Sequence, residues 1–283
     1  MKQVIKAIIP KPVWNRLRVL RQQYVRAQYR TRRVRHCYGG HELEVELVDP
    51  IGASWYDHDW PEMHEIALLK QHGLRPGARV FDIGAHQCVV AMVLSKIVGP
   101  EGSVLAVEAS PEDCQAGEQN RKLNRIENCR TLHGAGAAKS GTLVFSRFGS
   151  VDDGTGQWKI EVNAYSIDDL AERFGTPDVL FIDVEGFECE VLRGGQRTLA
   201  TKPDCFVEVH VNAGLEKFGG SVEQVFSLFP VGYEFFAAPP SRAFIPWDEA
   251  RDLARDRFFL VAIAGREADE RRDPVSTFGG KSE

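Results

Sequence analysis

Short apolar runs alternate with helix-like segments from Ala78 to about Gly265. The runs that predict buried strands are ARVFDIG, GSVLAVE, CRTLHG, DVLFID, CFVEVHV, GYEFF and RFFLVAIA. Continuous apolar strands separated by helices are typical of a parallel sheet covered on both faces. The last two runs, around Tyr233 and Phe259, lack a helical crossover, so we expect them to pair antiparallel at one edge. The pattern predicts an α/β fold with a doubly wound, mostly parallel seven-stranded sheet and an antiparallel edge strand.

The flanking regions differ from this pattern in composition. A basic segment and a strand-like alternation, HELEVELV, precede it, and a polar tail follows it. We expect an N-terminal helical extension with a short strand over residues 1–60, a main domain over residues 61–265 and a flexible tail over residues 266–283. Within the main domain, the stretch from Thr142 to Val162 is interpreted as a strand or hairpin insertion.

The N-terminal extension is predicted to hold a basic amphipathic helix, because no acidic residue precedes Glu42. Its apolar stripe, at spacings of three and four, consists of Val13, Leu17, Leu20, Tyr24 and Ala27. Such a stripe packs on the protein's own core or a second subunit, or lies on an anionic membrane surface. Scattered cysteines and the lack of a long apolar run predict a cytoplasmic protein, and the membrane alternative would place it peripherally at the inner face of a membrane.

The first predicted strand ends in an acid and a glycine, Asp82 and Gly84. Glycine permits a sharp turn and close approach of a ligand, and doubly wound sheets bind ligands at this end of their strands. The next strand ends in Glu108, which is placed to accept hydrogen bonds from the two hydroxyls of a ribose. This Rossmann-like layout serves both nicotinamide dinucleotides and S-adenosylmethionine.

The residues of the turn favour S-adenosylmethionine over a dinucleotide. Of the three glycines that make room for a pyrophosphate, only Gly84 is in place. Asp82 would repel a pyrophosphate but suits a ligand with a cationic amino-acid end. The structural alternative, in which Asp82 only caps a helix and Glu108 is a solvated strand end, does not explain why both acids accompany the glycine turn.

Several sequence blocks resemble the FkbM-type methyltransferases, class I S-adenosylmethionine enzymes of which many methylate sugar or polyketide hydroxyls. These blocks, between about Glu65 and Ala264, are LRPGARVFDIGAHQ, GSVLAVEASPED, HGAGAAKSGTL, YSIDDL, FIDVEGFECEVLRGG and VEVH. The resemblance implies that Asp82, Gly84 and Ala85 contact the methionine part of the cofactor and that Glu108 holds its ribose. We extend this predicted cofactor site to His86, Ala109, Ala135 and Asp183.

The chain departs from the family pattern at several positions of the predicted cofactor site. His86 and Cys88 stand where asparagine and glycine are usual, Ala109 where proline is, Ala138 where an acid often is, and Phe181 where lysine often is. A larger side chain in place of glycine would narrow the cofactor pocket. Of these departures, His86, Cys88 and Ala138 support the alternative of a binding or scaffold protein that kept the fold and lost catalysis.

Polar residues at the ends of two neighbouring strands form the candidate catalytic group. Asp183 and Glu185 follow one strand, while Glu208 and His210 share a face of the next. Because adjacent strands lie about 4.8 Å apart, these groups can converge. We assign His210 as the base that takes a hydroxyl proton, with Asp183 and Glu185 orienting the acceptor or holding the His210 tautomer. The same set of carboxylates and a histidine is also able to hold a divalent metal, but we favour a site without metal, since no further acid is evident at suitable spacing.

The sequence therefore predicts an S-adenosylmethionine-dependent methyltransferase that acts on a hydroxyl of a sugar, glycan or related small molecule. A nicotinamide-dependent oxidoreductase is a weaker alternative because of the missing glycines. The net charge of -5 gives no reason to expect nucleic acid as a partner. The aromatic stretches Trp55–Trp60 and Ala237–Trp247 are candidate acceptor walls.

Overall fold

The computed structural model describes residues 24–25, 28–146, 150–151 and 159–265. The strands are β1 (Arg32–Tyr38), β2 (His41–Leu47), β3 (Arg79–Ile83), β4 (Ser103–Glu108), β5 (Cys129–His133), β6 (Ala135–Gly136), β7 (Gly141–Ser146), β8 (Ser150–Val151), β9 (Lys159–Tyr165), β10 (Val179–Ile182), β11 (Asp204–Val209), β12 (Tyr233–Ala238), β13 (Ile245–Pro246) and β14 (Phe258–Ala264). The helices are α1 (Pro50–Tyr56), α2 (His64–Leu69), α3 (Val89–Val98), α4 (Pro111–Leu123), α5 (Ile167–Phe174), α6 (Glu188–Arg193), α7 (Gln196–Ala200), α8 (Val222–Ser227) and α9 (Trp247–Ala250), with 3-10 turns at Leu215–Phe218 and Arg251–Arg255.

The main sheet has the strand order β13-β12-β14-β11-β10-β3-β4-β5. Strands β11, β10, β3, β4 and β5 are parallel neighbours, and β14 runs antiparallel to both β11 and β12. The predicted Rossmann-like α/β fold is confirmed, as is the antiparallel pairing of the last two apolar runs. The antiparallel strand β14 is not at the edge, however. It enters between β11 and β12, and the two-residue β13 adds an eighth strand beyond β12.

The strand order reverses at β3, and this reversal positions the ligand site. The chain proceeds from β3 to β4 and β5 on one side, and β10 and β11 then build the other side. Crossovers on opposite faces leave a crevice at the carboxyl ends of β3 and β10, where open α/β sheets bind ligands. The acids of these two strand ends, Asp82 and Asp183, therefore meet at the same edge.

Helix α4 shows how local sequence fixes an element beside this crevice. Ser110 accepts a hydrogen bond at 3.2 Å from the backbone N–H of Asp113, and Pro111 occupies the first turn. The first turn is acidic and the last turn contains Arg121 and Lys122, so the charges match the helix dipole at both ends. The helix consequently begins just after β4 and covers the sheet beside Glu108.

The β1–β2 hairpin packs against α4 through side chains that bind backbone. Asn120 and Asn124 accept hydrogen bonds from the backbone N–H groups of Glu46 and Glu44 at 2.7 and 3.0 Å. The buried side chains of β2 belong to the same hydrophobic cluster as Val80 of the main sheet. The last part of the predicted N-terminal extension thus contributes to the main core, and the domain boundaries stay a prediction.

Two predicted segments lie wholly or largely outside the described residues. These are the amphipathic helix over 13–27, of which only Tyr24 and Val25 are described, and the tail over 266–283. The predicted insertion is described in part: β7 pairs antiparallel with β9, with Leu143 opposite Val162, in a separate sheet of order β6-β9-β7-β8. Among the described helices, none is long and apolar enough to cross a bilayer.

Candidate active site

A cavity of about 1040 Å³ opens at the carboxyl ends of β3, β4, β10 and β11. At one end it is lined by the predicted cofactor residues. These are Asp82, Gly84, Ala85, His86, Glu108, Ala109, Ala135 and Asp183. The other end is lined by Glu185, Glu208, Arg257 and aromatic side chains. The strand ends therefore bring the predicted cofactor and catalytic groups into one continuous space, as a donor and an acceptor of a transferred group require.

Gly84 makes the turn after β3 feasible. Its φ is 95°, in the left-handed region that favours glycine. A Cβ at this position would overlap the backbone carbonyl oxygen of Asp183 on the neighbouring strand. The residue is thus required both by backbone conformation and by the close approach of β10, which agrees with the sequence prediction of a tight glycine turn.

Cys88 occupies the position where the family pattern has glycine, and the structure accommodates it. The φ angle of Cys88 is 62°, in the left-handed region, which explains why the family pattern has glycine at this position. The thiol is buried and packs against Gly117 of α4, where a Cβ would collide with the sulfur. Because the side chain points to α4 and does not line the cavity, Cys88 does not narrow the cofactor pocket.

Asp82 presents a buried carboxyl group to the cavity. Its Oδ2 atom has no hydrogen-bond partner among the described residues. Burial, followed by the negative charges of Asp183 and Glu108, raises the pKa of Asp82 to about 8. A buried carboxyl group without a partner is costly, and a cationic ligand group would relieve this cost.

Glu108 is held in place by two backbone donors. The N–H groups of His86 and Ser110 donate to its two carboxylate oxygens at 2.8 and 2.7 Å. Each oxygen keeps further acceptor capacity for a ligand hydroxyl. Burial raises the pKa of Glu108, while the hydrogen bond from Ser110 lowers it. The ring of His86 lies beside it, with Nδ1 3.1 Å from the Tyr56 hydroxyl.

His210 lies at the centre of a ring of carboxylates. Its Nε2 atom is 3.7 Å from Asp183 Oδ1, 3.6 Å from Glu185 Oε2 and 3.6 Å from Glu208 Oε1. This atom has no hydrogen-bond partner in the described part of the chain, and the side chain is 1% exposed. The three carboxylates line the cavity, whereas His210 itself is not part of its wall. The predicted convergence of these four residues is thus seen, but the histidine is set back from the space where an acceptor would bind.

Glu188 is a site residue that the sequence analysis missed. Its Oε1 atom accepts hydrogen bonds from His210 Nδ1 at 2.7 Å and from the Gly186 N–H at 2.8 Å. Glu188, not Asp183 or Glu185, therefore holds the tautomer that leaves the Nε2 lone pair free. The sequence signal was its place at the start of α6, directly after the D-V-E-G turn, where an acid also has an ordinary helix-terminal explanation.

The cluster is strongly acidic, and the pKa values of Asp183, Glu208 and His210 are all raised in it. Burial, and next the charge of Glu208, raise the pKa of Asp183 well above its usual range. Burial raises the pKa of Glu208 to about 7, although Arg257, with Nε 3.0 Å from Oε1, opposes this shift. Burial lowers the pKa of His210, but the hydrogen bond to Glu188 and the surrounding carboxylates outweigh it, so the net shift is upward.

The predicted acceptor walls contribute unequally to the cavity. Of the first predicted wall, the lining residues are Trp55, Tyr56, His58, Asp59 and Trp60. The guanidinium group of Arg257 lies over the Trp55 ring, 5.7 Å from its centroid. From the second predicted wall, residues 237–247, only Pro240 and Ser241 are among the lining residues. Phe181 also lines the cavity and packs against Phe206, with ring centroids 5.1 Å apart.

Comparison with known proteins decides the family. The sequence model of the methyltransferase FkbM domain matches residues 82–235, more than half of the chain. The chain belongs to the FkbM methyltransferase family. The resemblance inferred from the sequence blocks is thereby confirmed, and the FkbM match spans both the Asp82 turn and the His210 cluster. A model of protein-L-isoaspartate O-methyltransferase also matches, over residues 17–143. No curated protein matches this FkbM chain at a significant level.

Several solved methyltransferase structures are similar to this chain at low sequence identity. A methyltransferase FkbM from Methylobacillus flagellatus is 14% identical with a TM-score of 0.45, covering 65% of this chain and 43% of that one. Fibrillarin from Aeropyrum pernix, solved with bound S-adenosyl-L-methionine, is 16% identical with a TM-score of 0.44, covering 86% and 87%. Precorrin-6y C5,15-methyltransferase from Geobacter metallireducens is 16% identical with a TM-score of 0.44, covering 70% and 87%. The family assignment rests on the domain match and not on these likenesses.

Proposed function

We propose that this FkbM-family chain uses S-adenosyl-L-methionine to methylate a hydroxyl group of a sugar, glycan or related small molecule. The observation that carries the cofactor assignment is the buried carboxyl of Asp82, which faces the cavity beside Gly84 and lacks a partner for Oδ2 among the described residues. The cationic ammonium group at the amino-acid end of S-adenosylmethionine is a matching partner. A dinucleotide would instead bring a pyrophosphate to this carboxyl group.

The remaining cofactor contacts follow from the order of strand ends along the cavity. Gly84, Ala85 and His86 are proposed to hold the methionine part next to Asp82. Glu108, already oriented by two backbone N–H groups, would accept hydrogen bonds from the ribose hydroxyls. The small side chains of Ala109 and Ala135 leave room for the adenine farther along the same wall.

The acidic cluster is proposed to bind and activate the acceptor hydroxyl. When bound, the cofactor supplies a methyl group attached to a sulfonium sulfur. As the new carbon–oxygen bond forms, the carbon–sulfur bond breaks and the sulfur leaves as a neutral thioether. Asp183 and Glu185 orient the hydroxyl, and its proton passes to the cluster of which His210 Nε2 is the basic nitrogen. Glu188 accepts the Nδ1 proton, which places the lone pair of the neutral imidazole on Nε2 and raises the pKa of His210.

Aromatic side chains support a sugar-like acceptor. Trp55 and Trp60 line the cavity, and Arg257, which contacts Glu208, lies over the Trp55 ring. Aromatic faces pack well against the apolar faces of sugar rings. The alternative of a scaffold that lost catalysis is weakened because Cys88, one of the departures behind it, packs away from the cavity against Gly117.

Transfer of a labelled methyl group tests this proposal. S-adenosylmethionine with a labelled methyl group is incubated with the full chain and a panel of free sugars, polysaccharides and glycolipids. We expect label in one of these fractions, with no transfer by His210→Ala, although this variant should retain S-adenosylhomocysteine binding. Unchanged transfer by His210→Ala would refute the role of the cluster, and the absence of transfer to every sugar class would refute the proposed acceptor.

A further inference from the structure

The carboxylate oxygens that surround His210 Nε2 have the composition and spacing of a cation site. The geometry points to a divalent-cation site formed by Asp183, Glu185 and His210, which would bind Mn²⁺ or Mg²⁺. A role of this cation in catalysis rests on the proposed methyl transfer to a hydroxyl, whereas the binding of the cation does not depend on that proposal. The sequence favours a site without metal because no further acid is evident at suitable spacing, and the folded chain adds Glu188 beside the same histidine.

The distances between the donor atoms suit a shared ion. Donors bound about 2.1 Å from one ion lie about 3.0 Å apart at right angles and about 3.4 Å apart at tetrahedral angles. His210 Nε2 is 3.7 Å from Asp183 Oδ1 and 3.6 Å from Glu185 Oε2. One oxygen or nitrogen from each of the three residues lies within 4.8 Å of the others. Small side-chain shifts would therefore bring all three into coordination.

The buried histidine is the independent observation that indicates a ligand. Nε2 of His210 is aimed at the carboxylates, is almost fully buried and has no hydrogen-bond partner among the described residues. Nδ1 donates to the Glu188 carboxylate, and Glu188 is fully buried. A carboxylate behind the second ring nitrogen is the arrangement that orients histidine ligands of metal ions. A purely structural histidine would instead have both ring nitrogens paired.

Electrostatics favour a cation over a neutral occupant. Four carboxyl groups surround the imidazole: Asp183, Glu185, Glu188 and Glu208. Among the described residues that pair with these groups, Arg257 is the positively charged side chain apart from His210, and it contacts Glu208. Carboxylates that lie this close together in a partly buried site are compensated either by protons, as the raised pKa values of Asp183 and Glu208 show, or by a cation that displaces those protons. Two carboxylates with one imidazole suit Mn²⁺ and Mg²⁺, which prefer oxygen ligands.

The location of the site relates the cation to the reaction. Asp183 and Glu185 line the cavity at the position proposed for the acceptor hydroxyl. A cation held there would bind the hydroxyl oxygen, fix its position and polarise it. His210, which is set back from the cavity wall, would then act as a ligand of the cation through Nε2, and a carboxylate of the cluster would take the hydroxyl proton in its place.

Mn²⁺ binding to the chelator-treated full chain tests the site, with free Mn²⁺ measured by electron paramagnetic resonance. We expect one Mn²⁺ per chain, competition by Mg²⁺, and a clear weakening, roughly tenfold or more, in Glu185→Gln. Glu188→Gln, which removes only the support of the histidine, should weaken binding roughly 10- to 100-fold. The matched control Glu62→Gln removes an exposed acid of the same cavity outside the cluster and should leave the affinity unchanged.

The outcomes separate this inference from the proposed function. A wild-type chain that takes up no Mn²⁺, or equal affinities in Glu185→Gln and Glu62→Gln, would overturn the cation site. S-adenosylhomocysteine binding is measured in parallel with chelator present. Cofactor binding without Mn²⁺ binding would refute only the cation site. Mn²⁺ binding without any cofactor binding would refute the proposed function but not the cation site.

Discussion

Replacement of Asp82 by asparagine should stabilise the free protein and weaken cofactor binding. The pKa of Asp82 is raised from 3.8 to about 8 in the folded chain by burial and neighbouring acids. For an acid, a raised folded-state pKa means that stability is lost as the pH rises above the unfolded value and that the loss is complete only above the folded value. At pH 7 this cost amounts to about 4 kcal/mol as an upper estimate, at 1.36 kcal/mol for each pKa unit. The asparagine variant would not carry this cost, because its amide does not ionise.

The same shift predicts proton release when the cofactor binds. With a pKa of about 8, about 0.9 of the Asp82 carboxyl groups carry a proton at pH 7 in the free chain. Contact with an ammonium group favours the ionised form, so binding should expel this proton. Calorimetry of S-adenosylhomocysteine binding in buffers of different ionisation enthalpy measures the proton release directly.

We expect the wild-type chain to release close to one proton more than Asp82→Asn at pH 7. The variant should melt at a higher temperature than wild type at pH 7, with the difference vanishing near pH 4. Asp252→Asn provides an acid-to-amide control at an exposed position outside the cavity lining. Equal proton release by wild type and Asp82→Asn, or a difference in melting temperature independent of pH, would refute the reasoning.

Three further perturbations test the turn, its packing and the N-terminal segment. Gly84→Ala should lower the free energy of unfolding by roughly 3–5 kcal/mol in chemical denaturation, because the added Cβ overlaps a carbonyl oxygen. Gly77→Ala, with open space around it, should lower it by about 1 kcal/mol. Similar losses of stability in the two variants would contradict this explanation. Gly117→Ala should lower the free energy of unfolding by roughly 1–3 kcal/mol, because the added Cβ collides with the Cys88 sulfur. The second substitution Cys88→Gly removes that sulfur and should restore much of the lost stability. Additive losses in the double variant would show that the two substitutions do not compensate each other. Deletion of residues 1–35 should abolish flotation with acidic liposomes, and unchanged flotation would exclude membrane contact through this basic segment.

The sheet, and the end of the cavity that the predicted cofactor residues line, were predictable because they depend on local patterns. Apolar runs mark β3 and β10, and the acids at their ends meet because parallel strands end at one edge. The position of β14 was not predictable, since whether a last strand joins the edge or enters beside β11 depends on the competition between long-range pairings. The antiparallel pairing with β12 was predictable from the missing crossover.

The arrangement of the candidate catalytic residues was predictable in part. Spacing placed Glu208 and His210 on one face, but the burial of the imidazole behind the carboxylates depends on how α6 packs against β11. Glu188 was missed because an acid at the start of a helix has an ordinary explanation. Likewise, the accommodation of Cys88 depends on Gly117, which is distant in sequence and adjacent only after folding.

Calorimetric comparison of three ligands tests the central claim most directly. S-adenosylmethionine, S-adenosylhomocysteine and NAD are titrated separately into the full chain, with Asp82→Asn as the matched site variant. We predict that the first two bind, more weakly in Asp82→Asn, and that NAD does not bind. Binding of NAD, or failure of the chain to bind either sulfur-containing ligand, would contradict the assignment of an S-adenosylmethionine-dependent methyltransferase.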